Sequence, residues 1–457
     1  MKQLTLTPLA ITTSTPTLAQ ENPQSQDYLP LTLKSTSQQA QATGFIEGKS
    51  LDRNTRNYYA NQHTQRDTHR KNNKNDGNHH THSRENWVQT TILKYSSGYT
   101  QGTIGIAVDA ARYNAINLQH SHEPIANPNN RTLTHSDGDP LPNWSKLGIG
   151  NINPRLSNTK LNPGRQTTDN PMIPYNDNRA LPSSFQGAGL HSHETDNLTI
   201  HPGTFDRATP RTENSSKNLT TNYSNTADKT DRTSNPGTNE KPGKSLKTSL
   251  YATNVENIWN QYYLGPNHRP GDKTRLTLNT ALNYYNTRDH GNQKMGNIDN
   301  DTYSLALTRT HQAHTLTPAW QQVNGNEYFD YIHETNGNYM ANSLHSDYNG
   351  PNEKSRQLPY DLNMAPYGVP GLNANLYNAN GWGIDGTHYH GNAYNVNGLD
   401  GENHNENGIS TTYAVQTGPL KDTSIRTTDN NHRASNAQSD GSQDEFRLVT
   451  NIPFNML

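Results

Sequence analysis

Residues 350–385 read GPNEKSRQLPYDLNMAPYGVPGLNANLYNANGWGID, and their order spells a β-hairpin. Tyr360-Asp361-Leu362-Asn363 alternates, Pro366, Gly368, Pro370 and Gly371 supply the reversal, and alternation resumes from Leu372. Proline presets the φ of a turn's first central residue and glycine takes the positive φ of a tight reversal, so two strands joined by a short turn are expected.

The same period of two continues outward from this stretch. Within residues 274–286, Leu276, Leu278, Leu282 and Tyr284 share one face while Arg275, Thr277, Asn279 and Asn283 share the other, which suits a strand with lipid on one side and water on the other. Further strands are expected over residues 250–263 and 444–457, and hairpins over 96–118 and 302–323, the latter turning at Gln312-Ala313. The polar tracts 66–84, 211–244 and 392–407 read as long surface loops. No apolar stripe of helical period and no fixed repeat interrupts this pattern.

Composition narrows the options. Hydrophobic residues make up 29% of the 457 and mean hydropathy is -1.06, well under the roughly 45–50% apolar content of an ordinary globular chain. A disordered chain would pair that deficit with high net charge, yet the formal charge is -2, the apolar shortfall being filled mainly by Asn, Thr, Gln and His. There is no cysteine, hence no disulfide framework and no thiolate site. No run of 18 apolar residues exists, which removes a transmembrane helix and leaves a closed barrel as the membrane-spanning option. An antiparallel barrel of about 18 strands, short turns at one end and long loops at the other, uses a chain of this length as one unit. The domain reading is a degenerate signal segment at 1–20, with Lys2 ahead of Leu4, Leu6, Leu9, Ala10 and Ile11 and cleavage at Thr17-Leu18-Ala19, a polar segment at 21–43, and a barrel over 44–457.

The wording YDLNMAPYGVPGL resembles the OprD-type outer-membrane porins, the substrate-specific channels of Gram-negative bacteria. In the same order along the chain, GFIEGKSLD at 44–52, RNYYANQ from Arg56, SSGYTQGTIGIAVDA at 96–110, DNRALPSSFQGAGL from Asp177, HPGTFDRATPR from His201, SDYNGPNEKS from Ser346 and HRASNAQSDGSQDEFRL from His432 are similar too. The resemblance implies an outer-membrane location and passive uptake of small hydrophilic solutes: basic amino acids, small peptides or carboxylates. It implies a ladder of basic side chains facing an acidic constriction, carried onto Arg84, Arg179, Arg426 and Arg447 for the ladder and onto Ser346 and Asp347 for the constriction. Gln62, Thr412 and Thr428 stand where further basic rungs would be expected, and the segment 339–347 is one residue short, leaving the register of Asp347 open. Alternation independently sets Arg447 against Phe446 and Leu448, and Arg426 against Ile425.

The outward face departs from the family. In residues 302–311 the set Tyr303, Leu305, Leu307 runs on into Arg309 and His311, and Ile425 is followed by Thr427 and Asp429. Pro318 and Pro359 each remove a ladder hydrogen bond that lipid cannot replace. The pattern is that of such a porin with much of its lipid-facing surface exchanged for polar residues, as in an engineered relative. Two alternatives follow: a non-inserting, water-soluble barrel without transport, and a largely disordered Asn/Thr-rich chain.

No enzyme is expected: no strand-turn-helix elbow frames a serine, and phosphate-binding and nucleic-acid motifs are missing. His79, His80 and His82, and His388 and His390, have ligand spacing but no carboxylate framework, so they read as solvated loop histidines and neither metal nor cofactor is expected. The expected partners are small solutes and membrane lipid, with monomer and trimer both open.

Overall fold

The computed structural model describes residues 37–65, 70–72, 79–119, 141–225, 229–272, 276–342 and 345–457. The signal reading at 1–20 lies outside them. Eighteen antiparallel strands close into a barrel: β1 (Ser50–Thr64), β2 (Ser83–Ser96), β3 (Ile104–Asn117), β4 (Asn143–Leu156), β5 (Thr159–Gln166), β6 (Ser184–Thr195), β7 (Leu198–Ile200 and Gly203–Thr209), β8 (Thr233–Ser234 and Gly237–Glu240), β9 (Leu246–Val255), β10 (Trp259–His268), β11 (Leu276–Asp289), β12 (Asp299–His311), β13 (His314–Leu316 and Ala319–Asn324), β14 (Lys354–Asn363), β15 (Leu372–Asp385), β16 (Asp400–Ala414), β17 (Ser424–Ala434) and β18 (Gln443–Asn455). The ring closes where β1 pairs with β18 from Asp52↔Asn455 to Thr64↔Gln443. A disordered chain is thereby ruled out for the described residues.

The hairpin at 354–385 is as the alternation spells it. Lys354↔Trp382 through Asn363↔Asn373 pair without a slip, and the turn passes through a 3-10 segment Ala365–Tyr367 with Gly368 at φ 86° and Gly371 at φ 87°. Both angles lie in the left-handed region, so glycine is needed there. This turn is at the end holding the short connections, whereas 167–183, 210–232 and 325–353 return at the other end.

Side-chain polarity is reversed relative to a soluble protein. Leu93, Leu147, Leu250, Leu278, Leu307, Leu358, Leu376, Ile409 and Ile425 point outward and are exposed, while Asn86, Thr90, Asn283, Thr302, Gln357, Asn375, Ser410 and Thr428 point inward and are buried. That is the arrangement of a wall between lipid and an aqueous bore. Two inward glycines serve the packing of tyrosines: a Cβ on Gly237 would lie 1.8 Å from the Tyr251 ring and one on Gly408 would lie 2.2 Å from that of Tyr377. Each tyrosine is the glycine's cross-strand partner and covers its backbone.

Several readings need correction. Residues 211–244 are not one loop, since they contain β8 and the short ladder Lys217–Thr220 with Lys229–Thr230. Likewise Asp400–Asn407 of the tract 392–407 belong to β16, and residues 66–84 end inside β2. Residues 96–118 are a turn and one strand, because Ser96 closes β2. Pro318 falls in the break of β13, where its carbonyl still accepts from Leu307 N (3.0 Å) and Pro359 O accepts from Thr317 N (3.0 Å). The loss is confined to the proline nitrogens.

The outward face does carry polar residues at mid-height. Asp429 on β17 sits between Ile409 of β16 and Phe446 of β18. A lipid-facing acid at that depth costs somewhat less than the ~2–4 kcal/mol of a basic residue. Asp429→Leu is therefore expected to stabilise the barrel in lipid vesicles by roughly 1–2 kcal/mol, read from urea unfolding; no gain would place Asp429 in the headgroup region.

Candidate functional site: the lumen constriction

Loops, rather than strands, fill the bore. One apolar cluster joins Ala180 and Leu181 of loop 167–183 to Tyr58, Val88, Tyr113 and Trp144 on the inner wall of β1 to β4. A second joins Phe329, Ile332, Tyr339 and Met340 of loop 325–353 to Tyr251, Trp259, Tyr263 and Tyr285 on β9 to β11. Bridges Tyr175↔Thr335 and Thr221↔Ile332 tie the loops to one another. Neither cluster includes a strand residue of β14, β16 or β17. The inner wall there is polar, with Gln357, Asp361, Ser410, Thr412, Thr428 and Asn430 facing in.

Three of the four expected ladder residues stand on that wall and its continuation. Register sets their heights. Arg426 pairs with Thr412 and lies one inward step below Thr428, which pairs with Arg447. Arg447 pairs with Ala60, one inward step below Gln62, which pairs with Arg84. Arg426, Arg447 and Arg84 therefore climb toward the long-loop end as a staircase. Gln62, Thr412 and Thr428, the positions where further basic residues would be expected, also face inward and carry no charge. Arg84 Nη2 donates to Gln62 Oε1 (2.5 Å), and Arg447 pairs with Glu445 on its own strand.

Arg179 reaches the bore from a loop. Its carbonyl accepts from Arg56 Nη1 (2.7 Å), while Arg56 grips Asp177 with Nη1 (2.7 Å) and Nη2 (2.9 Å). Burial pushes the Arg179 guanidinium down to about 10, and Arg211 and Arg447 add to that, so Arg179 on its loop and Arg447 on the wall share one positive region.

The acids come from loop 325–353. Asp347 Oδ2 accepts from Tyr223 OH and Tyr331 OH, both at 2.5 Å. Ser346 Oγ donates to Asp440 Oδ2 (2.6 Å), and the amides of His345 and Ser346 donate to Glu406 on β16 (3.1 and 3.2 Å). Asp330 accepts from the amides of Asn222, Tyr223 and Tyr331, yet burial still raises it to about 6. Glu334 accepts from Arg211 N (3.0 Å) and Nε (2.9 Å); against the opposing effect of burial, Arg211 holds it down at about 2.

Sequence reading did not single out Arg211, Glu334, Asp330, Tyr223 or Lys146. The last is buried on β4, with Nζ bonded to the carbonyls of Pro182 and Pro210 and lying 5.5 Å from the Trp144 ring. The first four lie in loops without a periodic strand to orient them, and Lys146 is a lone charge on the inward face of β4, with nothing in its own strand to mark it as a contact to the loops.

Known proteins resemble the chain over nearly its whole length. Residues 43–456 match the family described as outer membrane porin, OprD family. Porin D of Pseudomonas aeruginosa is 37% identical over 436 residues, covering 92% of this chain and 94% of that protein. The crystal structure of OccD3 (OpdP) from the same organism superposes with a TM-score of 0.80 at 45% identity, covering 92% of this chain and 94% of that one. That of P. aeruginosa OpdK with vanillate gives 0.78 at 26%, with 90% and 100% coverage.

Proposed function

The chain belongs to the OprD family of outer-membrane porins, and from that premise we propose that its bore selects small hydrophilic solutes bearing a carboxylate and a cationic group, basic amino acids foremost. The observation that carries this reading is the staircase Arg426, Arg447, Arg84 on a polar strip of wall, with acids supplied by the folded-in loops. Guanidinium groups meet a carboxylate with two parallel donors, so successive rungs hand it along without a deep well. Asp347, Ser346 and their partners offer acceptors to the ammonium or guanidinium end. The similar OpdK was crystallised with vanillate, itself a carboxylate. The reaction is diffusion and needs no catalytic group.

Proteoliposome swelling tests it. Arginine and lysine are expected to enter several-fold faster than a neutral sugar of the same size and faster than glutamate, whose second carboxylate meets the loop acids. Rates ordered by size alone would reject the selectivity and leave an unselective porin.

A further inference from the structure

His404 on β16 and His432 on β17 face the lumen side and are almost wholly enclosed, at 2% and 0% exposure. Neither belongs to a histidine-rich stretch. They meet because Glu406 pairs with His432 across the ladder, one inward step from His404.

Their four ring nitrogens are all in use, and the pattern is informative. His404 Nε2 lies 2.7 Å from Glu353 Oε1, and His432 Nδ1 lies 2.7 Å from the Gly441 carbonyl oxygen. A carboxylate and a carbonyl only accept, so each of these nitrogens carries its ring's hydrogen. A neutral imidazole has one such hydrogen. The remaining pair, His404 Nδ1 and His432 Nε2, therefore present lone pairs to each other at 2.8 Å. Facing lone pairs repel, so something positive must sit between them: a proton or a metal ion.

A third ligand favours the metal. One ligand atom from each of His404, His432 and Asp440 lies within 4.8 Å of the others. Asp440 is oriented by Ser346 Oγ (2.6 Å) and Gln438 Nε2 (3.1 Å), and the His404 ring is held under Tyr348 at a centroid distance of 4.3 Å. A metal-bound histidine typically gives its other N–H to a carboxylate or carbonyl, which is the role of Glu353 and Gly441 here.

We propose that His404, His432 and Asp440 form a binding site for one divalent transition-metal ion of the zinc, cobalt or nickel type. Two imidazoles and a carboxylate suit such ions better than magnesium or calcium, with water completing a tetrahedron. Metal–nitrogen bonds of about 2.0–2.1 Å in that geometry set the nitrogens roughly 3.3 Å apart. The rings must part by only about 0.5 Å. Asp440 sits in the connection 435–442, so the ion enters as that segment lifts and pins it when bound. The site stands independently of the solute selectivity.

The full-length protein refolded in detergent is titrated with Co²⁺. One equivalent is expected to give the visible absorption of a tetrahedral site, displaced by Zn²⁺, absent in His404→Gln/His432→Gln and at least tenfold weaker in Asp440→Asn. His388→Gln/His390→Gln, altering exposed loop histidines, should leave it unchanged. No stoichiometric signal in the wild type would mean a shared proton and overturn the proposal, as would an undiminished signal in the double variant. Should that variant not fold, the rise in heat-unfolding midpoint on adding Zn²⁺, present in the wild type and reduced in Asp440→Asn, decides; equal rises reject the site.

Discussion

Replacing Arg426 and Arg447 together by alanine is expected to move the anion-to-cation permeability ratio about tenfold toward cations at 0.1 M salt, since each charge at about 6 Å in a water-like dielectric attracts an anion and repels a cation by about 0.7 kcal/mol before screening, and screening cuts each term to roughly half. Reversal potentials of single channels in a salt gradient read this directly. Both side chains face the bore from neighbouring strands, one inward step apart in height, so a permeating carboxylate meets both. Alanine keeps the strand and its ladder, and the conductance should stay that of an open barrel. Arg84→Ala, higher up and bonded to Gln62, should act in the same direction. Filling a gap by Thr428→Arg, level with Arg447, should act in the opposite one. The shift should shrink as salt is raised from 0.1 M to 1 M, where the screening length falls from about 10 Å to about 3 Å. A change under twofold for the double variant would remove both arginines from the selectivity mechanism.

The second large effect concerns the loops. Arg211→Ala is expected to loosen them by about 3–5 kcal/mol, because it strands the buried Glu334 carboxylate without its counter-ion. Glu334 ties three segments: its side chain takes two bonds from Arg211, its carbonyl accepts from Ser183 Oγ (2.8 Å), and Arg211 Nη1 reaches Asn178 (2.5 Å). Limited proteolysis within 325–353 should accelerate by two orders of magnitude or more, with the barrel itself intact. In the wild type the same clamp should respond to acid. Glu334 is depressed from 4.5 to about 2 in the folded protein, so its contribution is fully present above the unfolded value and fades as pH falls from about 4.5 toward 2. Glu334→Gln should flatten that dependence; an unchanged acid response would assign it to another group.

How far the fold could be read beforehand varied with local chemistry. The hairpin at 354–385 was legible because leucines alternate with polar residues and its turn glycines sit where φ must be positive. Tyr303, Leu305 and Leu307 marked the outer face of β12 equally well. β8 was not legible: Gly237-Thr238-Asn239-Glu240 has no apolar residue to set a period, and only pairing with β9 and the start of β7 makes it a strand. The first turns of β16 failed for the same reason, Asn403, Asn405 and Asn407 facing out while His404 and Glu406 face in.

The site divided along similar lines. Arg426 and Arg447 were oriented by their own strands, and their heights came only with the register. The loop residues Arg179, Ser346 and Asp347 rested on resemblance, since no strand period orients them. The histidine pair escaped notice because histidine-rich runs drew attention to His82, His388 and His390, which are exposed. His404 and His432, 28 positions apart, become neighbours only through strand pairing.

Joining the first strand to the last has a bearing on biogenesis. Arg56 bonds to Asn451 across 395 positions, so the seam cannot be sewn until translocation of the chain is all but complete. Until then both flanks remain raw templates for aggregation, and some escort must shield them in the periplasm. Such non-local topology also makes spontaneous assembly slow. Clipping residues 443–455 would therefore do more harm than an equal deletion from any surface loop, by leaving the cylinder permanently unzipped.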